Sequence, residues 1–318
     1  MLDDGLYTQV KNFIIEANAA SVSAIQREFR LQFSVATNYM ALLEQDGIVS
    51  PPEENGARIV FDPVTKEPLK HALIDTLPIH TALFDENRRG SLLLCGINHG
   101  YSKQDEALDV SGFDRTDSHK SFFSDKEVND YRMRNRIAAW FRLWGYPLQA
   151  EKESAGAFER SIIQTNWLQS VTNNVRDMNV RAACIAEADS FLTTCKVLKP
   201  RVIIFFSKEL LWAFTSGELA EQVKDVFGEP TGGVSWIQEQ VLLDGKPLKA
   251  FKVGIVKYEN LTVISLPHPT GAQGLSDAYI AALAPTVGAV IADWWKGKKR
   301  QLAIAAEAAA FNARQDLV

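Results

Sequence analysis

Cysteine is scarce in this 318-residue chain: Cys95, Cys184 and Cys195 are the three, far apart and odd in number. Such a set makes no disulfide framework and reads as reduced thiols of a cytoplasmic protein. Three are also too few for a four-cysteine iron–sulfur cluster, and neither a metal nor a cofactor is expected. No run of 18 apolar residues is present, so no membrane-spanning helix is expected. The start, Met1-Leu2-Asp3-Asp4, is acidic and has no apolar core, so no secretory leader is expected there. Basic residues are few in one place. Residues 1–62 carry four (Lys11, Arg27, Arg30, Arg58) against nine acidic ones, which accounts for the whole net charge of −5. A domain of that sign does not bind DNA strongly through non-specific charge attraction. What is present is apolar: 46% of the residues, in a chain long enough for two domains and a substantial core.

Leu6, Val10, Phe13, Ile14 and Ala17 recur at helical spacing, which predicts an amphipathic helix over 4–18. Ser21 is placed to cap a second helix that ends near Arg30, and Ala36, Met40 and Leu43 mark a third that stops at Asp46-Gly47. Ile48-Val49, a turn over 51–56 and Ala57 to Phe61 read as a β-hairpin. Three helices and a hairpin make a winged helix, over 1–62. The words Ala20-Ser21-Val22-Ser23-Ala24-Ile25-Gln26-Arg27, Phe29-Arg30-Leu31 and Gly47-Ile48-Val49-Ser50-Pro51 resemble the gamma domain of FtsK-type DNA translocases. In that family the third helix reads a short G-rich DNA sequence through an Asn and two Arg. Here Ser34, Val35 and Asn38 stand at those positions, expected to face outward, and none makes the bidentate Arg–guanine contact. The resemblance therefore implies the scaffold and DNA docking, without the family's sequence preference. Reuse of the scaffold to recruit a protein partner is the alternative.

Residues 63–88 contain prolines and no sustained period, as a linker does. From 89 to 318 apolar strands alternate with helical segments. The strands are Ser91–Ile97, Ser161–Trp167, Arg201–Phe206, Lys252–Lys257 and Leu261–Leu266; helices are expected near 125–144, 180–196, 208–214, 276–296 and 300–313. That alternation predicts an α/β domain of three layers, α/β/α, around a mostly parallel sheet.

Two loops close strands of that sheet: Gly96-Ile97-Asn98-His99-Gly100 and Leu266-Pro267-His268-Pro269-Thr270-Gly271. In a parallel sheet both open at the carboxyl edge, where ligands bind. Together with Asn135-Arg136 to Trp144-Gly145, these motifs resemble those of the uracil-DNA glycosylase superfamily, over roughly 90–295. The resemblance implies a three-layer glycosylase-like fold and hydrolysis of the N-glycosidic bond of a damaged, mispaired or modified base, flipped out of DNA. It implies catalytic roles for Asn98, which orients a water, and His268, a hydrogen-bond donor to charge developing on the base, worth typically about 10²–10³ in rate. Asn166 stands where the family reads the base, with Asn173 and Asn174 as rivals. Phe113 is the expected stacking ring, with Phe122 and Phe123 as rivals, and Ile97 and Tyr101 join the substrate contacts. DNA contacts are expected from Arg132, Arg136, Thr270, Ala272, Leu275, Lys298 and Lys299, with Leu275 the candidate wedge because Ala272 is a poor one. His99 replaces the family's Pro. An inactive DNA-binding protein of the same fold is the competing expectation. No membrane partner is expected.

Overall fold

A computed structural model describes residues 4–17, 20, 22–52, 58–61, 63, 66, 77–100, 132–148, 155–168, 171–172 and 178–315. The chain divides into two compact units, Met1–Leu77 with Ala310–Val318, and Pro78–Ala309.

In the first unit α1 (Asp4–Ala17), α2 (Val22–Phe29) and α3 (Phe33–Gln45) each bury one apolar stripe. Val10, Ile14, Ile25, Ala36, Tyr39, Met40 and Leu43 meet in one core with Ile48, Val49 and Val60. Helix α3 ends at Gly47, whose φ of +64° suits glycine, and the Ile48 N–H closes the turn on the Leu43 carbonyl at 2.8 Å. The chain then pairs antiparallel: Val49 bridges Val60, and the Ser50 N–H meets the Ile59 carbonyl at 2.8 Å. Arg58 is held by Glu44 at 2.5 Å and by the Ser50 carbonyl at 2.7 Å, so one of the unit's few cations is already committed. On α3, Ser34 and Asn38 are exposed as expected. Val35 is not: it is half-buried against the core, since a Val at that position gains more from packing than from water.

The second unit opens with β1 (Leu92–Gly96) and the short β2 (His99–Gly100). Next come α4 (Arg132–Leu143), α5 (Ala157–Arg160), β3 (Ile162–Asn166), β4 (Val171–Thr172), α6 (Val180–Ala186) and α7 (Ala188–Leu198). They are followed by β5 (Val202–Phe205), α8 (Lys208–Phe214), α9 (Ala220–Phe227), β6 (Ser235–Ile237), β7 (Leu242–Leu243) and β8 (Lys246–Pro247). The last elements are β9 (Val253–Lys257), β10 (Thr262–Ser265), α10 (Asp277–Ala282), a π-helical turn (Ala284–Gly288) and α11 (Ala289–Gln315). Six strands make one sheet in the order β3-β1-β5-β10-β9-β6. The first four are parallel, and β9 runs against both its neighbours, so the unit is mixed α/β with a mostly parallel sheet.

Helices cover both faces. Leu92, Leu94, Ile204 and Ile264 pack with Trp140 and Phe141 of α4 and with Tyr279 and Ile291 beyond β10. On the other face Phe205 meets the rings of Trp167, Phe191 and Phe214. Strands buried on both sides carry apolar residues at consecutive positions, which is why the runs at 92–95 and 202–205 show no alternation.

Three segments differ from their expected form. The helix expected over 180–196 is broken at Glu187, where the Cys184 carbonyl accepts the Trp167 indole N–H at 2.8 Å. A side chain on that carbonyl interrupts the ladder. The two helices expected over 276–313 are instead α10, the π turn at Pro285 and one continuous α11 running through Gly297. A lone glycine costs a helix only about 1 kcal/mol. Here Trp294 and Lys298 anchor α11 on both sides of it, on the carbonyls of Gly90 (2.9 Å) and Arg89 (2.6 Å). Finally, residues 78–88, expected as linker, belong to the second unit: Ile79 bridges Thr165, and the buried Asn87 amide reaches the Ile162 carbonyl at 3.4 Å.

Candidate functional site

The register of the parallel strands sets the site. Gly96 is level with Asn166, and Cys95 and Ser265 are both level with Phe205, so β1, β3, β5 and β10 end at one edge. From β1 the order runs outward to β3 on one side and to β5 and β10 on the other. The loops after β1 and β5 therefore flank the point where the winding reverses, the usual place for a ligand in such a sheet. The strand that leads into the His268 loop, β10, is second from β1, about 10 Å away at about 4.8 Å per strand.

The loop after β1 is fastened to the loop after β3. The Trp167 N–H donates to the Gly96 carbonyl (3.0 Å) and the Leu168 N–H to the Ile97 carbonyl (2.8 Å), and β2 continues the pairing with β4. Ile97 and Asn98 are half-buried in it. Asn166, at the end of β3, is 8% exposed, and its side chain lies over Gly96. A Cβ at position 96 would collide with Asn166 Oδ1, so glycine is what admits the amide. Asn166 Nδ2 is 3.4 Å from His80 Nε2. His80 has no place in the motifs that mark the site. It comes from the segment before β1, along the outer side of β3, where its N–H meets the Gln164 carbonyl at 2.7 Å. Among five histidines nothing local distinguishes it.

His268 is locked by its own loop. Its Nδ1 accepts the N–H groups of Thr270 (3.2 Å) and Gly271 (2.9 Å), with Thr270 Oγ1 at 3.3 Å. A nitrogen that accepts backbone N–H groups carries no proton, so the ring is neutral and its proton is on Nε2. Burial also lowers the His268 pKa from the ordinary histidine value. Both effects produce a neutral hydrogen-bond donor at Nε2.

Several expected DNA contacts are placed elsewhere. Leu275 is not available as a wedge: it is 7% exposed and belongs to the core, with Ala272 packed against the same cluster. The loop presents Gln273 instead, exposed between Gly271 and Gly274, the latter at φ +84°. Arg136 donates to the Leu275 carbonyl at 2.9 Å and approaches Asp277 at 3.8 Å, so it latches α4 to this loop. Arg132 is exposed in the first turn of α4. Lys298 is buried on the Arg89 carbonyl, before β1 begins, and Lys299 lies 5.9 Å from the Trp295 ring. Lys298 thus stands at the amino edge of the sheet, the length of β1 away from Asn98, about 16 Å for five residues. A cavity of about 510 Å³ lies at that edge too, rather than at the candidate site. Tyr101, Phe113, Phe122, Phe123, Asn173 and Asn174 lie outside the described residues. Among the described residues no cluster of His, Cys and carboxylates could hold a metal ion, and no helix is long and apolar enough to cross a membrane.

Comparison with known proteins gives matches to the first unit. Residues 2–62 match the FtsK gamma domain family. The chain is 36% identical over 61 residues to the DNA translocase FtsK of Pseudomonas aeruginosa, covering 19% of this chain and 8% of that protein. It is 38% identical over 58 residues to DNA translocase FtsK 1 of Neisseria meningitidis, covering 18% and 7%. With the DNA translocase FtsK of Halalkalibacterium halodurans it shares 42% identity over 60 residues, covering 19% and 8%. The chain therefore spans less than a tenth of the length of these relatives.

Proposed function

We propose that this protein binds DNA and that its second unit, a uracil-DNA glycosylase-like α/β domain, hydrolyses the N-glycosidic bond of a damaged, mispaired or modified base. The observation that carries the reading is His268: a neutral ring with its Nε2 proton fixed by two backbone N–H groups on Nδ1, on the sheet edge that also carries Asn98 and Asn166. A flipped base enters beside the switch point. His268 Nε2 donates to the base oxygen as negative charge develops, and the donor is preorganised because its loop, not the substrate, sets the tautomer. Asn98 orients the attacking water but cannot take its proton, which passes to the departing base anion, so the reaction is dissociative and suits bases that leave easily. Asn166, steered by His80, offers its amide to the base edge. Gln273 is the side chain presented to the vacated stack.

The FtsK gamma match supports a winged helix that docks on DNA. Exposed Ser34 and Asn38 replace the expected base readers, so contact is weak and indifferent to the G-rich site. Asn98 also favours a second reading, a DNA-binding protein without catalysis, since an amide is no general base. A panel of uracil, hypoxanthine, thymine-mismatch and hypermodified-base duplexes, scored for abasic sites, separates the two. Cleavage that drops about 10²-fold or more in His268→Ala, with duplex binding retained, supports the first. DNA binding with no abasic sites on any substrate supports the second. Cleavage undiminished in both His268→Ala and Asn98→Ala removes the proposed site.

A further inference from the structure

The cavity at the amino edge of the sheet, opposite the candidate site, has no part in that chemistry. We propose that it is a phosphate-binding site, in which Arg201 and Lys298 hold the phosphate of a small phosphorylated molecule.

Lys298 is 5% exposed, and an ammonium is rarely buried without a counter-charge. Its Nζ has the Arg89 carbonyl at 2.6 Å. Glu86, the carboxylate that acts on it, is already bound by Arg160 at 2.6 Å. Burial lowers the Lys298 pKa to about 8, against a smaller upward pull from Glu86. Arg201, Lys298 and Gln301 all line the cavity beside Gly90. A Cβ there would stand 3.2 Å from Gln301 Oε1, 3.8 Å from Arg201 Cγ and 3.9 Å from Lys298 Nζ. Arg201 commits Nη1 to Asn260 Oδ1 at 2.8 Å, which leaves Nε and Nη2 as donors, and Lys298 keeps two N–H groups beyond its carbonyl. These five N–H groups match the oxygens of a phosphate better than the two oxygens of a carboxylate. Asp293 and Glu259 also line the cavity, and Glu259 is folded over Gly228. Their carboxylates disfavour an anion beside them and leave the Arg201 and Lys298 cations as its seat. About 510 Å³ is far more than an inorganic ion fills, so an organic body attached to the phosphate has room. The buried position of Lys298 favours a small free molecule over a duplex, which is too wide to enter a cavity of this size.

The test is calorimetric titration of the full chain, at constant ionic strength, with inorganic phosphate, a nucleoside monophosphate and a 12-mer duplex. The pH profile of Lys298 acylation, read by peptide mass spectrometry, gives a second measurement. Phosphate and the nucleoside monophosphate should bind. Arg201→Gln and Lys298→Met should each weaken binding about 10-fold or more, whereas Lys246→Gln, on the exposed β7–β8 hairpin, should leave it unchanged. Saturating phosphate should protect Lys298 and move its acylation midpoint upward. Absence of binding to the folded protein overturns the proposal, as does binding that Arg201→Gln and Lys246→Gln affect equally. Binding confined to the duplex overturns it too and makes these residues backbone contacts.

Discussion

Replacing Gly96 by alanine tests the packing at the heart of the candidate site. The new Cβ takes the place of Asn166 Oδ1, so the amide must swing away or β1 and β3 must part. Displacing a buried amide from its hydrogen bonds costs about 1–3 kcal/mol. Against this, Gly→Ala narrows the unfolded ensemble and returns about 0.4–1 kcal/mol. The expected net loss is about 1–2 kcal/mol, or a fall of roughly 2–8 °C in the Tm of a unit of this size. Stability alone does not identify the cause, so a double-mutant cycle is the decisive measurement. In Asn166→Ala the space over position 96 is empty, and Gly96→Ala should then be neutral or stabilising. The cycle formed by the two variants and their combination should show a coupling of about 1–2 kcal/mol in denaturant or calorimetric melting. Additivity within about 0.5 kcal/mol would refute the contact, and with it the claim that glycine at the end of β1 exists to admit Asn166.

Other outcomes follow from single groups. The lowered His268 pKa means that the unfolded chain takes up a proton before the native one does. The stability linked to a neutral His268 is therefore complete above the ordinary histidine value of about 6.5 and is lost as pH falls from there through the lowered value of the folded state. Urea midpoints of the wild type should fall between pH 7.5 and 5 more steeply than those of His268→Gln; parallel curves would contradict the locked neutral ring. Arg136→Ala should cost about 1.5–3 kcal/mol, because the Leu275 carbonyl loses a charged donor. Asp277→Asn should cost far less, its exposed pairing at 3.8 Å being weak, and equal losses in thermal melts would argue against the latch. Burial raises the pKa of all three thiols, that of Cys184 to about 12. At pH 8 an aromatic disulfide reagent should find no reactive cysteine in the native protein and three after denaturation; a fast native thiol would show that the core opens.

The strands and the first three helices were legible in the sequence because each is a local matter. Leu92 to Cys95 and Val202 to Phe205 are unbroken apolar runs, and strands buried on both faces need nothing else. Val10, Ile14, Ala36, Met40 and Leu43 keep helical spacing, and Gly47 stops α3 where the φ requires it. The loops with Asn98 and His268 could be placed at strand ends for the same reason, and a parallel sheet then put them at one edge. What required the tertiary structure was everything set by the curl of a loop or by partners distant in sequence. The ring state of His268 depends on how its loop curls its own N–H groups onto Nδ1. His80 reaches Asn166 across 86 positions of the chain, and Arg136 donates to a carbonyl 139 positions away. Leu275 and Lys298 have the residue types of a wedge and a phosphate contact, yet one is core and the other a buried amine at the wrong edge. Residue type and spacing fix which element a side chain rides on. Which face of the fold then receives it is decided by the packing that buries the most apolar surface, and a single sequence does not display that sum.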